Sequence, residues 1–216
     1  MNPKGIPQQS PWSRSAPWVK FAQNNINSDR VKQFCFNKVK PMQWTIRQGD
    51  ILDQSADVLV CSANPYLNLS GGVGGEFLIR YGDAMQQEMH AYLANQGVKH
   101  VPRGTVVRMP PCGSPYRAVL HAVGIDAFYD TSAQVVTEVV TRSLEMSAAE
   151  SAQTITLAAI ATGYGRLPLS DFADGIRPIL EIAFPPVEHV VLCMRKKESV
   201  SELGKMLPTA NVEFKT

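Results

Sequence analysis

Residues 56–63 read Ala-Asp-Val-Leu-Val-Cys-Ser-Ala and run into Asn64-Pro65, and residues 70–75 read Ser-Gly-Gly-Val-Gly-Gly. The first stretch is a continuous, valine-rich apolar run of strand length. That is the pattern of a parallel strand covered on both faces. The second has too many glycines for regular structure and is expected to be an irregular loop before a helix. From Glu76 the spacing of Phe77, Tyr81, Met85, Met89 and Leu93 in steps of four predicts a helix to residue 93, with Gly82-Asp83 a candidate interruption.

The same order of strand, glycine-bearing loop and helix recurs downstream. Residues 154–160 form a second apolar run and end at Ala161-Thr-Gly-Tyr-Gly-Arg-Leu-Pro168, after which Ser170 is placed to cap a helix carrying Phe172, Ile176 and Leu180. Further strands are expected at 42–46, 105–109, 118–123 and 187–194. Helices are expected from a capping box at Thr131 and Gln134 to about residue 150, and at 198–206. Strands alternating with helices imply a mainly parallel sheet with helices on both faces.

Composition agrees with that class. At 216 residues, 44% apolar and 19% charged, the chain can bury a core, and collagen, coiled-coil and disordered readings fail. No apolar run reaches the roughly 18 residues of a membrane helix. The opening MNPKGIPQQS has Pro3 and Pro7 where a secretory signal needs an apolar stretch, so a cytoplasmic location and no membrane partner are expected. Cys35, Cys61, Cys112 and Cys193 form no C-x-x-C pair, and His90, His100, His121 and His189 show no metal-ligand spacing. Reduced thiols, no metal and no resident cofactor are expected.

Charge divides the chain in two. Residues 1–40 carry seven basic residues, Lys4, Arg14, Lys20, Arg30, Lys32, Lys38 and Lys40, against Asp29 alone, a net +6; the rest holds 14 basic and 18 acidic residues, a net −4. Residues 1–40 thus read as a basic extension containing tryptophan and proline, and 41–216 as the α/β domain. The aromatics Trp18, Phe21, Phe34 and Phe36 suit docking on that domain, while the lysines and arginines suit direct nucleic-acid binding.

In an open α/β sheet ligands gather where strands end, so the two glycine loops belong on one rim. Backbone N–H groups of successive small residues, with the helix N-terminus behind them, suit an anion such as phosphate. There is no Gly-Lys-Ser/Thr, and residues 72–77 lack the last glycine of G-x-G-x-x-G. This is neither a P-loop nor a standard dinucleotide fold.

Five segments in order resemble the macrodomains, a family that binds ADP-ribose. They are Gly49-Asp50-Ile51, Asp57 to Asn64, Gly71-Gly-Val-Gly-Gly75, Leu120-His-Ala-Val-Gly124 and Thr162-Gly-Tyr-Gly-Arg-Leu-Pro168, spread over about residues 42–195. The resemblance implies a three-layer α/β/α sandwich with a mixed, mainly parallel central sheet. It also implies that Asp50 accepts a hydrogen bond from the adenine amino group while the Ile51 N–H helps hold the ring. Asn64 would reach the distal ribose. Gly71, Gly72, Val73, Gly74 and Gly75 would hold the diphosphate with Thr162, Gly163, Tyr164 and Gly165. Tyr164 or Leu167 would lie against the distal ribose. Each has an ordinary alternative: a cap for Asp50, an Asn-Pro turn for Asn64, tight turns for the loops, packing for Tyr164 and a structural role for His121.

The resemblance breaks where family members carry catalytic groups. Gly74 stands where hydrolytic members commonly have an aspartate, and Leu78 and Gly165 stand where another branch has a lysine and an aspartate. Glu76 is the nearest carboxylate, and its spacing to Arg80 predicts an i,i+4 ion pair. Three readings follow: a protein that binds ADP-ribose or ADP-ribosylated protein or nucleic acid; an ADP-ribosyl hydrolase using Asn64 or Glu76 or the substrate itself; and a nucleic-acid-associated protein acting through residues 1–40.

Overall fold

In the computed structural model, which describes residues 41–215, the apolar runs become one seven-stranded sheet. The expectations for residues 1–40, including Cys35 and both roles of the basic extension, lie outside the described residues. The strands are β1 (Gln43–Gln48), β2 (Val58–Ala63), β3 (Val106–Met109), β4 (Ala118–Val123), β5 (Thr154–Ala158), β6 (His189–Met194) and β7 (Asn211–Glu213), in the order β3-β4-β2-β5-β6-β1-β7. β3 is antiparallel to β4 and every other pairing is parallel. β2 lies between β4 and β5, with Val58 opposite both Ala118 and Ile155, and every residue of β4 is buried. Continuous apolar runs therefore mark the strands that have neighbours on both sides and helices on both faces.

The helices are α1 (Gly72–Tyr81), α2 (Ala84–Asn95), α3 (Ala133–Ala149), α4 (Leu169–Ile176) and α5 (Lys197–Met206). α3, α4 and α5 pack in sequence as one layer, while α1 and α2 pack on each other and on β2 and β3, giving the three-layer α/β/α sandwich. Gly175, a weak point for an isolated helix, is where α4 meets α3. A Cβ there would stand 2.5 Å from the Ala133 carbonyl oxygen, and Thr137 Oγ1 donates to the Gly175 carbonyl at 2.7 Å.

Several local expectations are corrected. The helix does not begin at Glu76: it begins at Gly72, so the glycines form its first turn instead of an irregular loop. Glycine lacks helix propensity, but the first turn costs little there, and Leu69 packs against Gly74 from below. The break at Gly82 is real, its φ of +81° ending α1 before α2 starts. Ser132, rather than Thr131, caps α3, its hydroxyl accepting from the Val135 N–H at 3.4 Å; the Gln134 side chain donates to Glu138 instead of reaching back. Ser170 does not cap α4, which starts one residue earlier behind Pro168; its hydroxyl donates to Asp171. Strand β7 was not expected at all.

Candidate functional site

Parallel pairing sends the ends of β1, β2, β4, β5 and β6 to one rim. There they release Gly49-Asp50, Asn64-Pro65, Gly124, the segment 159–165 and Arg195 side by side. Asp50 caps the short 3-10 turn Ile51–Asp53: one carboxylate oxygen, Oδ1, accepts from the Leu52 N–H at 2.9 Å. The other, Oδ2, meets two guanidinium groups, Arg80 Nη2 at 2.9 Å and Arg195 Nη2 at 3.0 Å. Ile51 is buried beside it. The cap expected as the ordinary alternative is therefore present, and the carboxylate still reaches the surface, its side chain 19% exposed.

The predicted Glu76–Arg80 pair is corrected. Arg80 turns to β1's end and holds Asp50 and, at 2.6 Å, Asp53, while Glu76 lies 3.5 Å from Arg195. A bidentate grip on two carboxylates across the rim outcompetes one exposed neighbour on the same helix. The Arg80 hydrogen bond holds the Asp53 carboxyl below its usual range. Arg195 had no place in the sequence reading. Its signal was its position as the first residue after the buried strand β6, where the rim rule applies.

Asn64 is committed in part to its own loop. Its Oδ1 accepts from the N–H groups of Tyr66 and Asn68 at 3.0 and 3.3 Å, and its Nδ2 donates to the Asn68 carbonyl at 2.7 Å. This is the Asn-Pro turn, built by the amide as an Asx turn. The second Nδ2 hydrogen is the one that remains for a ligand in the ribose reading.

The glycine segments face each other. α1 follows Gly71 with no side-chain cap and no acidic residue in its first turn. Gly75 bonds back to the Gly71 carbonyl, and the N–H groups of Gly72, Val73 and Gly74 are those an α-helix leaves without an internal partner. The helix dipole makes that end electropositive. The Tyr164 ring lies directly over Gly71, where a Cβ would come within 2.7 Å of its hydroxyl, yet the residue is 71% exposed. The ring needs the glycine beneath it. Leu167 is buried in the core, so of the two candidates Tyr164 is the one left exposed on the rim, with Arg166 also exposed beside it. Thr162 turns inward, its hydroxyl donating to the Ala159 carbonyl at 2.9 Å. The Ala161 N–H donates to Ser62 Oγ at 3.4 Å, which ties this segment to the end of β2.

Among the described residues Cys61, Cys193 and the buried His121 offer no reactive group here. Burial pushes the Cys61 thiol up to about 12 and the Cys193 thiol up to about 11, and holds His121 down at about 4 with Nε2 against Met85 Sδ. Among the described residues no three His, Cys, Asp or Glu gather as a metal site, and no helix is long and apolar enough to cross a membrane.

Residues 60–176 match the family model described as the Macro domain. A Streptomyces griseus protein named "Macro domain-containing protein in non 5'region" is 33% identical over 172 residues, covering 78% of this chain and 96% of its own. The chain belongs to the macrodomain family. Another relative, a Klebsiella pneumoniae protein named "O-acetyl-ADP-ribose deacetylase", is 28% identical over 165 residues, covering 74% of this chain and 93% of its own. Among solved structures, an Oceanobacillus iheyensis macrodomain mutant with ADPR superposes at a TM-score of 0.69 with 21% identity, covering 76% of this chain and 90% of its own. A Trypanosoma brucei macrodomain in complex with ADP-ribose superposes at 0.65 with 17% identity, over 80% and 75% of the two chains. Those likenesses establish the macrodomain fold.

Within this macrodomain the missing acids follow from packing. A Cβ on Gly165 would stand 2.6 Å from the Ala161 carbonyl oxygen and 2.7 Å from Ile125 Cγ2, so nothing larger than hydrogen fits. One on Gly74 would press on Leu69, 3.1 Å from its Cδ2 and 3.3 Å from its Cα. Of the two positions at which the resemblance places an aspartate in hydrolytic members, Gly165 is closed against side chains and Gly74 admits one only if Leu69 gives way by a few tenths of an ångström.

Proposed function

We propose that this macrodomain binds ADP-ribose, free or attached to a macromolecule, and holds it without rapid turnover. The observation that carries the reading is the uncapped first turn of α1, with its backbone N–H groups opposite the 162–165 segment, on the same rim as Asp50. In this reading the N–H groups of residues 72–74 hold the diphosphate together with Gly163 and its neighbours, and the dipole of α1 adds to them. Asp50 Oδ1, which has a lone pair beyond the one given to Leu52, accepts from the adenine amino group. Ile51 N–H supports the ring, Asn64 Nδ2 reaches the distal ribose, and Tyr164 covers that end from Gly71.

The name of the Klebsiella relative supports a second reading, hydrolysis of an ADP-ribosyl ester. Against it stands the packing at Gly74 and Gly165, which leaves Glu76 as the only carboxylate of α1. General acid–base assistance contributes about 10² to 10⁴ in rate, so turnover without a placed acid is expected to be slow and insensitive to chelators. Calorimetry with ADP-ribose, ADP and AMP tests the binding reading, and incubation with protein- and nucleic-acid-linked ADP-ribose tests the second. A stable complex released unchanged is the expected result. No affinity for ADP-ribose sinks the first reading, and fast ester cleavage replaces it with the second.

A further inference from the structure

Arg195 occupies a position that ADP-ribose binding does not by itself explain. It leaves the end of β6 and touches Asp50, the proposed adenine acceptor, at 3.0 Å and Glu76, one turn into α1 from the proposed diphosphate cradle, at 3.5 Å. Its guanidinium thus bridges the two ends of the path between base and phosphates. Three carboxylates, Asp50, Asp53 and Glu76, share two guanidinium groups, Arg80 and Arg195, while Lys215 adds its field at Asp53, on the side away from Glu76 in the ion-pair chain. An anionic ligand arriving beside Glu76 is repelled unless a cation turns toward it.

The two arginines are not equal candidates. Arg80 is held by two carboxylates through separate nitrogens and is the less exposed. Arg195 is 61% exposed, shares Asp50 Oδ2 with Arg80, and holds Glu76 only at the longer distance. An exposed ion pair of that kind is worth little, whereas a charge-assisted hydrogen bond to a phosphate oxygen is strong.

Resting on the ADP-ribose reading, we propose that Arg195 is a phosphate ligand and selects diphosphate-bearing adenosine ligands: it exchanges Glu76 for a diphosphate oxygen when the nucleotide binds. Glu76 is then a competitor that holds Arg195 off in the empty site. Removing the two residues therefore has opposite effects.

The experiment titrates ADP-ribose, ADP and adenosine into wild type, Arg195→Gln, Arg195→Lys and Glu76→Gln at two salt concentrations, with melting curves to confirm the fold. Arg195→Gln should weaken ADP-ribose and ADP by roughly tenfold or more, the loss of one charge-assisted hydrogen bond, and flatten their salt dependence while sparing adenosine. Arg195→Lys should restore part of the loss, and Glu76→Gln should tighten ADP-ribose several-fold. Unchanged ADP-ribose affinity in Arg195→Gln overturns the proposal alone. So does an equal loss for adenosine, which would mean that Arg195 acts only by orienting Asp50. A wild-type protein that binds neither ADP-ribose nor ADP overturns the underlying reading with it.

Discussion

Two aspartates, Asp57 and Asp50, stand at opposite ends of the parallel strands, and each is met by arginine. Asp57 precedes β2. Its Oδ2 accepts from the N–H groups of Gln153 and Thr154 at 2.8 and 3.0 Å and from the Thr154 hydroxyl at 3.1 Å, while Oδ1 meets Arg117 at 3.0 Å. Burial raises its carboxyl, but the hydrogen bonds from Gln153 and Thr154 outweigh that and leave it below the usual range. It stitches β2 to the start of β5. Asp50 spends one contact on its cap and the rest on two arginines that are themselves exposed. At one end of the sheet polar groups are consumed in holding strands together; at the other they are held by exposed ion pairs, which the proposed function would exchange for a ligand.

The sharpest break in that contrast should come from a side chain that costs no stability on the rim proposed to take the ligand. A Cβ on Gly163 meets nothing within 4 Å, and its φ lies outside the left-handed region, unlike Gly72 at +55°. Gly163→Glu should therefore fold normally, yet lower ADP-ribose affinity by about 3 kcal/mol or more through like charge against the diphosphate. Full affinity in the folded variant would put the diphosphate elsewhere.

The opposite rim should respond in the opposite way. Asp57→Ala leaves the Gln153 and Thr154 N–H groups without their acceptor and should cost about 2 kcal/mol of stability by denaturant titration, with ligand affinity retained. A loss of affinity larger than the loss of stability would show that the two ends are coupled.

Asp50→Asn keeps the size of the cap but removes the charge. It should weaken ADP-ribose by about 1.4 kcal/mol in calorimetry, with a smaller shift in Tm. A fall in Tm with unaltered affinity would reduce Asp50 to a cap.

The last effect is a slope. His121 titrates near 4 in the folded chain against 6.5 ordinarily, because burial disfavours its charged form. Across that window the unfolded chain takes up a proton that the folded chain refuses. Stability should fall as pH drops from 6.5 toward 4, by up to about 1.4 kcal/mol per pH unit from this group. His121→Gln should flatten that segment of the stability–pH curve, and an unchanged slope would assign it to other groups.

Much of this architecture was readable because burial on both faces writes itself as an unbroken apolar run. β2, β4 and β5 declare themselves in that way. The start of α1 did not, since Gly72 to Gly75 carry no helical preference and the turn is fixed by Leu69 beneath it. β7 is three residues at a sheet edge with Val212 half exposed, too short for any periodicity. The partners of Arg80 were misread for a similar reason: local spacing favoured Glu76, but β1 and α1 bring Asp50 and Asp53 into reach from about thirty residues away. Arg195 was invisible until β6 was seen to end on the same rim as Asp50.

The packing around Gly74 and Gly165 bears on how this protein can change over time. An aspartate at 165 runs into a carbonyl oxygen of the main chain, which no neighbouring replacement can remove. An aspartate at 74 meets both the side chain and the Cα of Leu69, so trimming the leucine relieves only half of the conflict. A water-activating acid is therefore blocked at position 165 and requires a shift of Leu69 at position 74. At 165 acquiring one needs the main chain itself to move, and at 74 the step is expected to lower stability before it returns anything in chemistry. Directed evolution toward hydrolysis should therefore find its first productive variants away from Gly165, at half-buried positions of α1 such as Glu76 or Leu78.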